Sequence, residues 1–411
     1  MAKWVKEYDP ELISRRLEKV KRISSDGKVL FNAFEHSEYV VLLNSMISLD
    51  DEIPEIEKQR IINQATSKAG AKGVITTKSI LGEICKLERE YLSKDKKKFR
   101  LITSISISSK CQLPKVYFEG SCIVIHAHLN KASQDSRSKM INDAKHVISS
   151  DLPKNYAVVS VSVTARSTAE AADKALEHLD LVRGIWNLWN NSGHTIRISY
   201  GKRSPVNRII LGPIHTLHHD NGNLATESWW YEPQYQGPVN LYDEITKIEN
   251  MNKYMANFRS HLKKLNYESD IIQAVVRYVR ALDSRDWDDS FLRLWGVLEF
   301  LTGTLLLSYK VTIRRASYMF ADKGYGHQVL SHLRNYRNKY IHAGSASGNI
   351  ESLMYQLKRY VEALIKFHVG NKFRFSSIAE AAEFMDLPRD KALIDRKIST
   401  LRYAKQFISD S

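Results

Sequence analysis

Arg337 and His342 stand five residues apart near the end of the chain, with Asn338 directly after the arginine. An imidazole can take and return a proton near neutral pH, and a guanidinium can neutralise charge growing on a phosphoryl oxygen. Together they suit phosphodiester chemistry. The bare spacing carries little weight, because a chain with 14 histidines produces such pairs by chance. Placement is what raises it. Leu330, Leu333, Tyr336, Tyr340 and Ile341 recur at helical spacing, so the segment is predicted to be an amphipathic helix. Gly344 is a natural terminator and puts His342 in the last turn, where the negative helix end favours imidazolium. Helical geometry separates Arg337 from His342 by about 140° around the axis. Asn338 and His342, four apart, share a side. A long arginine can bend toward the histidine, or two copies meeting across a dimer axis can pool their groups.

The surroundings are cationic. Between Lys310 and Gly344 seven basic residues (Lys310, Arg314, Arg315, Lys323, Arg334, Arg337, Lys339) stand against one acid, Asp322, a net +6 in 35 residues. The whole chain of 411 residues carries 61 Lys+Arg against 46 Asp+Glu, a net +15. Such a balance points to a polyanionic partner, nucleic acid first.

Other templates fail on their spacing. Gly70–Ser79 (GAKGVITTKS) lacks the glycine directly before its Lys-Ser pair, so no phosphate-cradling loop is expected there. There is no G-x-S-x-G elbow and no H-E-x-x-H helix. His215, His218, His219 and Asp220 are metal-type ligands, but on a strand His215 and His219 share a face while His218 points away. They read as polar residues at a strand end, and neither a metal nor a cofactor is expected. Cys85, Cys111 and Cys122 are too few and too scattered for a disulfide framework, which suits a reducing cytoplasm. The N-terminus has no apolar signal core, and no apolar stretch approaches the ~20 residues a bilayer requires. The chain is expected to be cytoplasmic, with no membrane partner.

The elements that must position these residues fall into three regions. Residues 1–99 read as helical, ending in the solvated charge run Lys94–Lys98. Residues 100–238 read as an α/β domain. Leu101, Thr103, Ile105 and Ile107 alternate with a serine face, Val116–His128 reads as a strand, and Ala157–Ala165 is the clearest strand of all. Ser167 or Thr168 then caps a helix with apolar Ala172, Ala175, Leu176, Leu179 and Val182. Asp220-Asn221-Gly222-Asn223 joins two further strands as a hairpin. Tyr235-Gln236-Gly237-Pro238 reads as a domain boundary, and residues 239–411 as an all-α bundle. The expected class is thus α+β and multidomain.

Arg337-Asn338-Lys339-Tyr340-Ile341-His342 resembles the R-x4-6-H motif of HEPN domains. Phe291–Leu301 (FLRLWGVLEFL) resembles the W-x-x-L-E-x-L helix of the Apea-like HEPN branch, and Arg314-Arg315-Ala316 and the His-Ala-Gly ending match too. The resemblance covers about Ser269 to Asn371. It implies a C-terminal helical bundle that forms a homodimer and brings two motifs into one cleft. Many such domains are metal-independent endoribonucleases of toxin–antitoxin, abortive-infection and other antiviral defence systems. The resemblance implies RNA as substrate, cleaved by 2′-hydroxyl attack to leave 2′,3′-cyclic phosphate ends. His342 would then be general base or acid, Arg337 the charge-neutralising group, and Asn338 a hydrogen-bonding support. Arg334, Lys339, Arg314 and Arg315 would contact RNA, and Glu299 would stand either beside the cleft or as a polar anchor of the bundle. It also implies a phage-derived trigger or an antitoxin as partner, with residues 1–238 as a sensor or regulator. The other reading is a non-catalytic HEPN module that binds RNA or senses a partner.

Overall fold

The computed structural model describes residues 1–24, 29–111, 113–126, 128–144, 152–191, 204–305, 307–343 and 350–409, without the side chains of residues 33, 34, 342, 343 and 409. The first region contains β1 (Lys3–Trp4), α1 (Pro10–Val20), β2 (Lys21–Ile23), β3 (Val29–Phe31), α2 (Ala33–Met46), β4 (Ile47–Ser48), α3 (Glu55–Lys72) and α4 (Thr77–Leu92). The helices close on a core of their own that includes Leu17, Leu43, Ile62, Ile80 and Ile84. Strands were not expected here. They are two- and three-residue pairs, β1 with β4 and β2 with β3, too short to show alternation in sequence. The Gly70–Ser79 segment is the α3–α4 turn, where Thr76 and Ser79 cap each other's backbone N–H groups at 2.8 and 3.1 Å. These bonds satisfy donors that would otherwise be orphaned at the helix start.

The middle of the chain contains β5 (Lys97–Ile105), β6 (Val116–Phe118), β7 (Ser121–His126), α5 (Lys131–Ala144), β8 (Ala157–Ala165), α6 (Thr168–Asn190), β9 (Ile214–His218) and β10 (Leu224–Tyr231). The strands form one antiparallel sheet in the order β10-β9-β5-β8-β7-β6. Leu101 stands opposite Val161 and Thr103 opposite Val159, so the period-2 pattern puts both strands' apolar residues on one face. Where one strand was expected over Val116–His128, the described residues Val116–His126 form a hairpin. Glu119 and Gly120 turn the chain with φ of 43° and 77°.

The remainder contains α7 (Ile248–Leu262), α8 (Glu268–Ala281), α9 (Trp287–Leu301), α10 (Tyr309–Tyr318), α11 (Lys323–Ala343), α12 (Ile350–Gly370), α13 (Ile378–Met385) and α14 (Lys391–Ser409). The boundary expected at Tyr235–Pro238 does not divide the core. One continuous apolar cluster runs from Phe99 in the sheet to Met385 in α13. The cause is α6, which is buried nearly all round from His178 to Asn187 because sheet and bundle pack on its two sides. A Cβ at Gly184 would lie 2.6 Å from Val275 Cγ1, so the missing side chain lets α6 and α8 approach closely.

Charges are also buried between these layers. Arg183, with no exposed surface, pairs with Asp180 and Asp283 at 2.7 Å each. Arg280 pairs with Asp180 and Glu232, and Asn207 donates to Asp283 at 2.7 Å. Burial alone would favour a discharged Arg183, but Asp283 and Asp180 hold its proton above the usual range. Deeper in the bundle Lys358 pairs with Glu362 at 3.0 Å, and Glu362 also accepts the Tyr278 hydroxyl.

Tyr91 on α4 donates to Glu170 at 2.5 Å, and Ser167, the N-cap of α6, donates to Glu57 at 2.5 Å. These contacts seat the N-terminal helices against the start of α6. Among the described residues no helix is long and apolar enough to cross a membrane.

Candidate active site

Two helices carry the residues of interest. α9 starts at Asp286, whose carboxylate accepts the N–H groups of Asp288 and Asp289 at 3.0 and 3.1 Å. Its residues Phe291, Leu294, Trp295, Leu298 and Leu301 are buried and turn the same stripe to the core. α11 buries Leu330, Leu333 and Tyr336, while Ile341, expected on the same stripe, is 46% exposed. Among the described side chains of this stripe Tyr336 is the last that is fully buried. It packs edge-on to Phe291 at 5.1 Å, and its hydroxyl donates to Asp288.

Arg337 is half-buried at the meeting of α9, α10 and α11. Its guanidinium lies 4.8 Å from the centre of the Tyr309 ring, and Nη1 donates to Asn338 Oδ1 at 3.3 Å. Tyr309 is in turn set edge-on to Trp295, 6.4 Å between centroids. Trp295 Nε1 donates to Glu299 Oε1 at 2.8 Å. Burial pushes the Glu299 carboxyl up, against the Trp295 hydrogen bond and the charge of Arg337, which both pull it down. Glu299 is therefore a partly desolvated acid facing Arg337 without forming an ion pair with it. Arg337, Asn338 and Glu299 come together in one corner. α11 carries His342 next to its end, but the His342 side chain and Gly344 lie outside the described residues.

The other basic residues separate. Arg315 is held by Asp386 at 2.7 Å and by the Thr302 and Gly303 carbonyls at 2.8 and 3.1 Å. Arg314 pairs with the same carboxylate at 2.6 Å. This pair fastens α13 to α10, and Arg315 has only 11% of its side chain exposed. Arg334 donates to Asn335 at 2.9 Å and leaves its Nε buried without a partner. Lys339 is exposed. The opposite side of α11 is less cationic than its sequence suggests, because Tyr340 faces Asp286, Asp288 and Asp289. Burial first, and then these carboxylates, push its hydroxyl above the usual range.

Sequence reasoning did not select Tyr309. It lies at the first position of α10, and its contact with Arg337 joins residues 28 apart in the chain. The Trp295–Glu299 bond had a signal, since residues four apart on a helix are neighbours.

His215 and His219 do share a sheet face. His215 Nδ1 meets Thr103 Oγ1 at 2.6 Å, and the His219 ring lies 5.9 Å from Phe99. His218 points to the other face and bonds the Gly222 carbonyl at 2.9 Å. Among the described residues no three His, Cys, Asp or Glu side chains are grouped so as to hold a metal ion. Comparisons with protein-family models, curated proteins and solved structures find no match to this chain.

Proposed function

We propose that the chain is a metal-independent endoribonuclease of the HEPN type that works as a homodimer. One observation carries this reading: Arg337 is seated on the Tyr309 ring beside half-buried Glu299, with Asn338 bonded to it, five residues before His342 on the same helix. In this reading the His342 imidazole removes the proton of a ribose 2′-hydroxyl, and the freed oxygen attacks the adjacent phosphorus. Arg337 neutralises the negative charge that grows on the phosphoryl oxygens. The P–O5′ bond breaks, and the second copy's histidine returns a proton to the leaving oxygen. The products are a 2′,3′-cyclic phosphate and a 5′-hydroxyl. The attacking group belongs to the substrate, so DNA is not cut.

Binding without cleavage is the second reading. It is favoured by the engagement of Arg337 with Tyr309 and Asn338, which fits an arginine that holds RNA in place. Incubation with total bacterial RNA in EDTA separates the two. Wild-type protein is expected to leave fragments with 2′,3′-cyclic ends, and His342→Ala or Arg337→Ala to reduce cleavage by about two to four orders of magnitude. RNA affinity in a gel shift should fall much less for His342→Ala. Affinity with no cutting by any variant selects the binding module. Cutting that survives both changes refutes the assignment of the site.

A further inference from the structure

α14 leaves the body of the protein just after Arg389, which donates to the carbonyls of Phe320 and Ala321 and lies 5.5 Å over the Tyr318 ring. Asp390 caps the helix, accepting the Leu393 N–H at 2.9 Å. From Lys391 to Ile408 every side chain except half-buried Ile394 is exposed. Yet the sequence is patterned. Ile394, Ile398 and Leu401 follow at steps of four and three, the repeat of a helix seam, and Lys405 occupies the next seam position. At 100° per residue these four fall within an arc of about 60°. Ile398 is 42% and Leu401 69% exposed.

Charges beside the seam indicate what covers it. Asp395 and Arg402 lie along one edge and Lys397 along the other. When two copies of a helix pair antiparallel, each edge meets its own counterpart, so Asp395 faces Arg402 of the second copy, twice. Parallel pairing sets opposite edges together and brings Lys397 against Arg402 of the second copy, a like-charge contact. We propose that α14 is a self-pairing element that joins two copies of this chain antiparallel through Ile394, Ile398 and Leu401. The pairing uses none of the residues around Arg337 and does not depend on the ribonuclease reading.

Sedimentation of the full chain over a wide concentration series tests this, with circular dichroism confirming that each variant is folded. Wild type is expected to reach twice the monomer mass, and Leu401→Asp to weaken the dimer by about tenfold or more. Arg402→Asp alone should also weaken it, because Asp395 then meets an acid. The double change Asp395→Arg with Arg402→Asp should restore wild-type association. A stronger dimer with Arg402→Asp would mean parallel pairing and overturn the proposal. So would a chain that stays monomeric, which would assign the seam to a different protein. A dimer unmoved by all these changes overturns the proposal too, while leaving a dimer through the bundle and the cleavage reading intact.

Discussion

His368 gives the sharpest test of how the bundle is held. It lies on α12 with no exposed surface, its Nε2 2.8 Å from the Leu301 carbonyl at the end of α9 and its Nδ1 3.4 Å from the Tyr267 hydroxyl. Nε2–H donates to the carbonyl, which leaves Nδ1 to accept from the Tyr267 hydroxyl in the neutral ring. Burial lowers its pKa to about 4, against a smaller opposing effect of the Leu301 hydrogen bond. In the unfolded chain a histidine titrates near ~6.5. As pH falls the unfolded chain gains this proton first, and stability drains away from about pH 6.5 down to the folded value. At pH 5 the loss from this one group is about 2 kcal/mol. His368→Gln keeps an amide donor for Leu301 and removes the titration. Urea unfolding followed by tryptophan fluorescence, at about pH 7.5 and at about pH 5, should show wild type losing about 2 kcal/mol more than the variant between the two conditions. Glu232 and Glu177, whose carboxyls burial pushes up, act in the opposite direction but equally in both proteins. Equal losses in wild type and variant would refute the buried neutral imidazole.

Other perturbations follow from neighbouring contacts. Tyr309→Leu should lower the cleavage rate constant several-fold by releasing Arg337, an interaction of about 0.5–1 kcal/mol, while Tyr309→Phe keeps the ring face and the rate. Gly184→Ala places a methyl 2.6 Å from Val275 Cγ1 and should destabilise the protein by about 1–3 kcal/mol in urea unfolding. Asp283→Asn leaves Arg183 short of a counter-charge in full burial and should cost about 3–5 kcal/mol by the same assay.

Where a side chain's environment repeats along its own element, the sequence made it legible. Strands β5 and β8 were visible because their apolar residues alternate, and the β9–β10 hairpin because Asp220-Asn221-Gly222-Asn223 is turn chemistry. Helix α11 was visible because its apolar residues recur at helical spacing. What escaped depends on contacts between distant segments. Apolar residues at helical spacing made α6 look one-sided, yet Asp180, Arg183 and Asn187 are buried as well, each satisfied by partners such as Asp283, Arg280 and the Ile209 carbonyl. Polar residues on a helix normally mark its solvent face, so the two-sided burial of α6 and the continuity of the apolar core past Tyr235–Pro238 have one cause. At the candidate site, Arg337, Asn338 and Glu299 were singled out from their own stretches of sequence. Tyr309 was not, and Arg314 and Arg315 were counted as a free basic surface because nothing near them in sequence indicates Asp386.

The buried charges between sheet and bundle bear on how this protein can be dissected. A fragment beginning at residue 239 would keep Asp283 and Arg280 but lose Arg183, Asp180, Glu232 and Asn207. It would also bare the face of α8 against which Gly184 is fitted. Such a fragment starts its life with solvent on a surface shaped for α6, and inactivity of the excised bundle would say nothing about Arg337 or His342. The C-terminal helices are packed into the rest of the protein and do not hang from it on a tether. Sheet and C-terminal helices share one interior through α6, so a change that loosens the packing on one side of that helix is felt on the other.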